Sequence, residues 1–365
     1  MVRKEFVQMR RDRLTFAMMV GVPILQLALF GFAINSDPKH LPTAVVSAEH
    51  TEFTRSLIAA VRATGYFDIR ATPERADEAY DLLHNGEVQF VIAIPEGFSR
   101  QLVRGEQPVV LLEADASDPA ATGNAVAALQ PLVATALRHD LKGVIAVAGD
   151  NAPFEWRIHR RYNPEGVTQY NIVPGLMGVI LTMTMIMMTA LAMTRELERG
   201  TMENLLAMPL RPAEIMVGKI FPYVFVGYVQ VAVVLLGARY VFGVPIVGSL
   251  WLLMACVLVF IVANLTVGIT FSSLARNQMQ AMQMSFFFFL PSILLSGFMF
   301  PYRGMPVWAQ WLGEILPLTH FLRLVRGILL KGYGSAEVWQ YVWPLLLFIA
   351  VVMTVGLRRF RRTLD

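Results

Sequence analysis

The stretch RELERGTMENLLAMPLRP, residues 195–212, is a charged, helix-forming segment between two apolar runs. The run Pro174–Thr194 before it has no charged side chain, and another apolar run begins at about Ile220. After Gly200, Thr201 can act as the N-cap of a new helix, with Glu203 in the first turn, where a negative charge favours the exposed amides. The pattern predicts a short amphipathic helix at a membrane surface, between two spans, that contacts a partner.

The composition is that of a membrane protein. Of the 365 residues, 55% are hydrophobic and only 16% are charged, whereas a soluble domain has about 25% charged residues. Residues 35–168 depart from this pattern, because they contain 12 Lys and Arg against 18 Asp and Glu, and the rest of the chain is basic. We interpret this as an acidic domain inserted into a membrane protein whose basic residues contact the headgroups of the lipid bilayer, with no nucleic-acid partner.

Six apolar runs are long enough to cross a hydrocarbon core of about 30 Å. An amphipathic, interfacial helix is predicted at residues 1–14, before the first run. Residues 169–365 form the membrane domain, which includes the charged segment 195–212. Residues 301–334 are too apolar for a solvated loop and too interrupted for a span, so we expect two short re-entrant helices there. The predicted spans are 15–34, 172–194, 220–242, 250–272, 285–300 and 339–357.

The basic residues orient these spans. The loops and tail on the side of the N-terminus hold 14 Lys and Arg, and those on the other side, apart from residues 35–168, hold four. The excess marks the cytoplasmic side, so both termini are expected in the cytoplasm (N-in, C-in) and residues 35–168 on the extracytoplasmic, periplasmic side of the cytoplasmic (inner) membrane. Five tryptophans fall at the outer boundaries, as an interfacial belt requires: Trp251, Trp308, Trp311, Trp339 and Trp343.

Residues 35–168 alternate between strand and helix patterns, which predicts a small sheet with helices packed on it. Thr51 is the expected N-cap of a helix over residues 51–64. Asp118 and Pro119 can start a long helix that runs to about Gly149. The predicted strands are 43–47, 66–71, 88–94 and 108–113.

Three strings carry a resemblance to a known family: RKEFVQMRRDRLT at 3–15, RELERGTMENLLAMPLRPAEIMVGKIFPY at 195–223 and PSILLSGFMFPYRGMPVWAQWLGEILPLTHFLRLVRGILLKG at 291–332. With them the chain resembles, along essentially its whole length, the ABC-2-type permeases of ATP-binding-cassette (ABC) exporters. It is most similar to the multidrug-type subgroup that has a large extracytoplasmic domain between spans one and two. The implied fold is an α-helical integral membrane protein of six transmembrane helices, of the type V exporter kind, with an inserted α/β domain.

The resemblance also implies partners and a function. Two permease protomers, as a homodimer or a paralogous heterodimer, pair with two ABC ATPase subunits that bind ATP and Mg²⁺, so this chain needs no cofactor and no metal of its own and has no catalytic residue. The complex exports amphipathic small molecules such as drugs, or lipids. The cargo stays open, as does the requirement for a periplasmic membrane-fusion adaptor and an outer-membrane channel.

The helix Glu196–Leu206 corresponds to the coupling helix that contacts the ATPase, and the segment Pro301–Lys331 to re-entrant helices that cap the pathway. The expected ATPase-coupling residues are Arg195, Glu196, Glu198, Arg199, Gly200, Thr201, Glu203 and Asn204. The expected pathway or gate residues are Met183, Met187, Pro291, Phe298, Pro301 and Pro317.

The residues weigh against other classes of protein. The chain has no G-x-x-x-x-G-K-[ST] motif for ATP, and its six histidines show no metal-site spacing. The predicted spans lack Asp, Glu and His, which an ion-coupled carrier usually needs. The methionines that crowd span two fit adaptable packing, a wall for varied apolar cargo or, least well, Cu(I) ligation.

A membrane sensor with a periplasmic ligand-binding domain is the alternative function, because it would explain the order span, domain, span at the start of the chain. Four further spans with no cytoplasmic output domain argue against it. A membrane-embedded enzyme would need a nucleophile or a metal cluster within the spans, and the sequence shows neither.

Overall fold

The computed structural model describes residues 37–141, 152–198 and 212–362, without the side chains of residues 197, 212–220 and 357–362. The described chain forms two compact units, one ending at Asn171 and the other beginning at Ile172. The predicted interfacial helix at 1–14 and the first span at 15–34 lie outside the described residues.

The first unit contains a five-stranded sheet in the order β2-β1-β3-β4-β5. The pair β3–β4 is antiparallel, and the other three pairs are parallel. Four strands match the predicted ones to within a few residues, and β5 was not predicted from the sequence. The strands are β1 (Leu41–Ser47), β2 (Phe67–Ala71), β3 (Phe90–Ile94), β4 (Val109–Asp115) and β5 (Glu155–Arg161).

Helices cover both faces of this sheet. On one face α1, α3 and α4 bury Leu57, Leu102 and Ala125 in a common core with strands β1, β3, β4 and β5. On the other face α2 packs Ala79 and Leu83 against β1 and β3. The helices are α1 (Glu52–Ala63), α2 (Ala76–His84), α3 (Phe98–Arg104), α4 (Pro119–Leu129) and α5 (Leu132–Thr135).

The structure agrees with one of the two predicted N-caps in full and with the other in position only. Thr51 is confirmed as the N-cap of α1, in a capping box with Thr54. Asp118 precedes α4, but its side chain makes no cap bond and instead accepts a hydrogen bond of 3.0 Å from Asn171 Nδ2. The prediction of one long helix from Pro119 to about Gly149 was wrong, because α4 ends at Leu129. Pro131 has no N–H to donate and its ring clashes with the carbonyl four residues earlier, and α5 begins after it.

The second unit is helical. Among the described residues, four helices are long and apolar enough to cross a membrane: α6, α7, α8 and α12. The charged segment at 195–198 continues α6 rather than starting a separate helix. The long helices are α6 (Thr168–Glu198), α7 (Pro212–Tyr240), α8 (Leu250–Leu274), α9 (Gln278–Leu295) and α12 (Ser335–Arg362).

Helix α9 differs from the span predicted at 285–300. It begins seven residues earlier and ends at Leu295, and Gly297 follows with a left-handed φ of +83° that ends regular helix. Its first two turns contain Gln278, Gln280 and Gln283, which lower its hydropathy, and α9 is not among the four candidate spans.

Two short helices follow, at the place where the sequence predicted them. A 3₁₀ turn at Tyr302–Gly304 leads into α10 (Val307–Ile315) and α11 (Pro317–Arg326), which continues as a π-turn at Gly327–Lys331. We call α10, α11 and this π-turn the α10–α11 hairpin. The π-turn is bound to the α7–α8 loop, because Val247 and Gly248 donate their backbone N–H groups to Leu329 O and Ile328 O, over 3.0 and 2.9 Å.

Helix α8 is the centre of the second unit. It packs against α7, α9, α11 and α12, and its polar side chains bond back to its own backbone, as Asn264 does to Phe260. Phe260 stacks on Phe321 of α11, with ring centroids 4.0 Å apart. The hairpin is therefore packed into the helical core through α11.

Candidate functional site

The charged end of α6 is the described part of the predicted coupling segment. Arg195, Glu196 and Glu198 lie in its last turn, where Arg195 and Glu198 are exposed and Glu196 is half-buried. Because the helix continues unbroken from the apolar part of α6, a force on these residues acts on the whole helix. The other predicted coupling residues lie outside the described residues: Arg199, Gly200, Thr201, Glu203 and Asn204.

Glu198 is bonded to the first residue of α9. Its carboxylate accepts the backbone N–H of Gln278 over 2.7 Å and also a hydrogen bond from the Gln278 side-chain amide. These hydrogen bonds from Gln278 lower the pKa of Glu198 below its usual value, because they stabilise the charged form. The first amides of a helix also favour a negative charge, so the contact links the charged end of α6 to the start of α9.

The opposite end of α6 contacts the segment around the hairpin through two glycines. A Cβ atom on Gly175 would lie 2.6 Å from the Phe298 ring, and one on Gly178 would lie 2.7 Å from Leu318 and 2.9 Å from Phe321. Small residues allow such close approach between membrane helices. Helix α6 thus contacts α9 at its charged end and Phe298 and α11 at its other end.

The structure places the six predicted pathway residues at different points of this unit. Phe298 is half-buried against Gly175, and the described contacts do not bring Met183 or Met187 to it. These two half-buried methionines lie about 12 and 18 Å further along α6 than Gly175, at 1.5 Å per residue. Of the three prolines, one lies inside α9 and two are buried at the start of the 3₁₀ turn and of α11: Pro291, Pro301 and Pro317.

A polar cluster between α10 and α11 was not predicted from the sequence. Glu314 accepts two hydrogen bonds from the Arg323 guanidinium, of 2.6 and 3.1 Å. The Tyr302 hydroxyl lies 2.7 Å from the Glu314 carboxylate, and His320 Nε2 donates to the Glu314 carbonyl over 2.8 Å. The acidic Glu314 and the basic Arg323 both lie within a largely apolar segment, and this was the signal that could have indicated the pair.

Within residues 37–141, 152–198 and 212–362, no group of three His, Cys, Asp or Glu side chains is arranged to hold a metal ion. Cys256 is buried in α8.

Comparison with known proteins identifies the family of this chain. A family model described as "ABC-2 family transporter protein" matches residues 13–358. In an alignment 377 residues long, the chain is 30% identical to the "Probable multidrug ABC transporter permease YbhS" of Escherichia coli K12. The alignment covers 99% of this chain and 96% of that protein. It is 28% identical over 362 residues to the "Probable multidrug ABC transporter permease YbhR" of the same organism, covering 99% and 97%.

The "Inner membrane transport permease YhhJ" of the same organism is 33% identical over 300 residues, which is 79% of this chain and 77% of that protein. The family model covers nearly the whole chain, including both ends of α6, α9 and the α10–α11 hairpin. The chain belongs to the ABC-2 family of transporter permeases.

Proposed function

We propose that this chain is the permease subunit of an ATP-driven exporter that moves amphipathic small molecules or lipids outward across the cytoplasmic membrane. In this proposal it has six spans with both termini in the cytoplasm, and residues 35–168 are extracytoplasmic. ATP and Mg²⁺ bind to separate ABC ATPase subunits, and the permease itself is not an enzyme. The multidrug permeases YbhR and YbhS, to which the chain is about equally similar, support a pair of permease protomers, either identical or paralogous.

The observation that carries this proposal is the continuity of α6. One unbroken helix connects the charged turn at Arg195–Glu198 to the glycine contacts with Phe298, Leu318 and Phe321. A helix of 31 residues is about 46 Å long, which is enough to cross a bilayer. Movement imposed at one face of the membrane therefore reaches the other face without passing through a loop.

This geometry supports the following mechanism. ATP binding closes the two ATPase subunits, and the coupling segment that begins at Arg195 moves with them. Because α6 is held against the hairpin at Gly175 and Gly178, its tilt displaces α11 and Phe298. Displacement of these apolar side chains opens the outer end of the pathway, and ATP hydrolysis allows them to return.

The lining of such a pathway suits apolar cargo. The candidate spans contain few charged residues. Apart from the charged turn of α6 and Glu337 in the first turn of α12, the charged residue within the spans of α6, α7, α8 and α12 is Arg239. Met183 and Met187 are half-buried on α6, and methionine adapts its shape to varied apolar partners. Cargo that shields its charges, or carries few, fits this environment best.

The test is reconstitution with the cognate ABC ATPase. We expect the two to co-purify, and ATP hydrolysis in proteoliposomes to rise with cargo from a panel of drugs and lipids. The paired change Arg195→Glu and Glu196→Lys reverses two charges of the charged turn Arg195–Glu198, called the coupling turn below, and should reduce co-purification with the ATPase. A matched control, Asp77→Lys, changes a charge on an exposed side chain of the first unit and should not. Failure of the wild-type chain to bind the ATPase, or equal effects of the two variants, would contradict the proposal.

A further inference from the structure

The contact between Glu198 and Gln278 separates Glu198 from the other charged residues of the coupling turn. Both oxygens of its carboxylate are engaged within the chain, Oε1 by the Gln278 backbone N–H and Oε2 by the Gln278 side chain. A carboxylate bound in this way is oriented toward α9 rather than toward a separate subunit. The contact joins residues 80 positions apart, so it depends on how α6 and α9 pack together.

The start of α9 is built around this contact. The Asn277 side chain caps the helix by accepting the Gln280 N–H over 2.8 Å, and the Gln280 side chain accepts the Arg276 N–H over 2.9 Å. These bonds satisfy the amides on either side of Gln278, and Glu198 satisfies the Gln278 amide itself. The first turn of α9 is thereby fixed, and part of that fixation comes from α6.

The other end of α9 supports the α10–α11 hairpin. Leu294 and Leu295 pack in one cluster with Met305 and Ala309, and a Cβ on Gly313 would lie 2.7 Å from the Leu295 carbonyl oxygen. Between these ends α9 has 18 residues, a length of about 27 Å. Helix α9 therefore connects the coupling turn of α6 to the base of α10 by a route separate from the glycine contacts of α6.

We propose that Glu198 is a positioning residue that couples the charged end of α6 to α9, and through α9 to the α10–α11 hairpin. The proposal rests on the proposed export function and assigns Glu198 a role inside this chain instead of at the ATPase surface. The two helices move together at this end, so that α10 and α11 are displaced from two sides at once. A carboxylate suits the task because its two oxygens can accept from two donors of one residue.

The contact between Glu198 and Gln278 can be tested by exchanging the two side chains. Glu198→Ala removes both hydrogen bonds, and Gln278→Glu places two carboxylates face to face. In the double variant Glu198→Gln with Gln278→Glu, the amide on α6 donates to a carboxylate on α9, and the amide oxygen on α6 still accepts the backbone N–H of residue 278. The negative charge stays at the N-terminus of α9, where it is favoured.

The measurement is cargo transported per ATP hydrolysed, in proteoliposomes with the ATPase subunit, together with the amount of ATPase that co-purifies. We expect Glu198→Ala and Gln278→Glu to lower transport per ATP by about tenfold, with ATPase co-purification retained. The reversed pair should recover most of the loss. The double variant carries a substitution at both positions and yet restores the contact. Recovery therefore distinguishes positioning from a general loss of folding, which a second substitution would not reverse.

Two results would overturn the inference. One is a reversed pair that transports no better than Gln278→Glu alone. The other is loss of ATPase co-purification in Glu198→Ala, which would make Glu198 a contact for the ATPase. Neither result bears on the proposed function, which is judged by the wild-type chain and by the comparison of the Arg195→Glu/Glu196→Lys variant with Asp77→Lys. If the wild type does not transport, a thermal double-mutant cycle over the wild type, Glu198→Gln, Gln278→Glu and the double variant decides the contact, and additive effects would count against it.

Discussion

The carboxylate of Glu314 and the guanidinium of Arg323 form a two-pronged ion pair that joins α10 to α11. The two bonds are 2.6 and 3.1 Å long, and the guanidinium lies 4.6 Å from the centre of the Tyr302 ring. The pair is placed across the break at Leu316 and Pro317, where one helix ends and the next begins. It therefore fixes the angle of the hairpin at a point where the backbone has no continuous helical bonding.

Removing this pair should loosen the hairpin. Glu314→Gln and Arg323→Gln each lose charge-assisted bonds, and we expect each to lower the free energy of unfolding by about 1–3 kcal/mol. Because each variant breaks the same contact, the double variant should cost less than the sum of the two. Thermal unfolding of the purified protein in detergent measures all four forms, and strict additivity would show that the pair contributes nothing of its own.

Close packing of α6 on α8 should depend on Gly268. A Cβ there would lie 2.7 Å from the Ile186 carbonyl oxygen and 2.9 Å from Thr189 Cβ, and the backbone at Ile186 cannot move aside easily. We expect Gly268→Ala to destabilise the protein by about 1–3 kcal/mol. Gly237 on α7 is the matched control, since no atom lies within 4 Å of its Cβ position. Gly237→Ala should be neutral or stabilising by up to about 1 kcal/mol, and equal melting temperatures for the two variants would contradict this explanation.

The orientation of the chain can be tested with single cysteines. After Cys256→Ala, a cysteine introduced by Asp77→Cys occupies a position whose native side chain is 78% exposed. We expect it to react with a membrane-impermeant thiol reagent in intact cells. A cysteine introduced by Arg276→Cys, between α8 and α9, should react only after the cells are made permeable. The reverse pattern would place residues 35–168 in the cytoplasm.

The contact between α6 and α9 should persist in acid. Bonds from Gln278 lower the pKa of Glu198 below that of an ordinary glutamate, so the carboxylate stabilises the folded state above the unfolded pKa, and this stabilisation is lost as the pH falls through the lower, folded pKa. The infrared band of protonated Glu198, taken as the difference between wild type and Glu198→Gln, should therefore appear with a midpoint at lower pH than that of a glutamate in an unstructured peptide. A midpoint at or above that of the peptide would show that the two hydrogen bonds do not hold the charged form.

The sequence predicted elements whose stabilising interactions are local. Thr51 and Thr54 form their capping box over three residues, and the apolar runs of α6, α7, α8 and α12 are helical because a long helix satisfies its own backbone. Prediction failed where a distant residue or a single turn decided the outcome. The helix predicted from Pro119 to Gly149 ends at Leu129, before Pro131, and β5 is stabilised by pairing with β4 about 46 residues earlier in the sequence.

By itself, the sequence determined that this chain has apolar helices of membrane length, an acidic α/β insertion and a charged turn after span two. These features follow from hydropathy, length and charge, which act residue by residue along the chain. Only the tertiary structure decided that Glu198 binds Gln278, that Gly175 and Gly178 face the hairpin, and that Glu314 pairs with Arg323. Each of these contacts joins separate helices, and helices of similar hydropathy carry no pattern that specifies which faces will meet, because that depends on shape and packing.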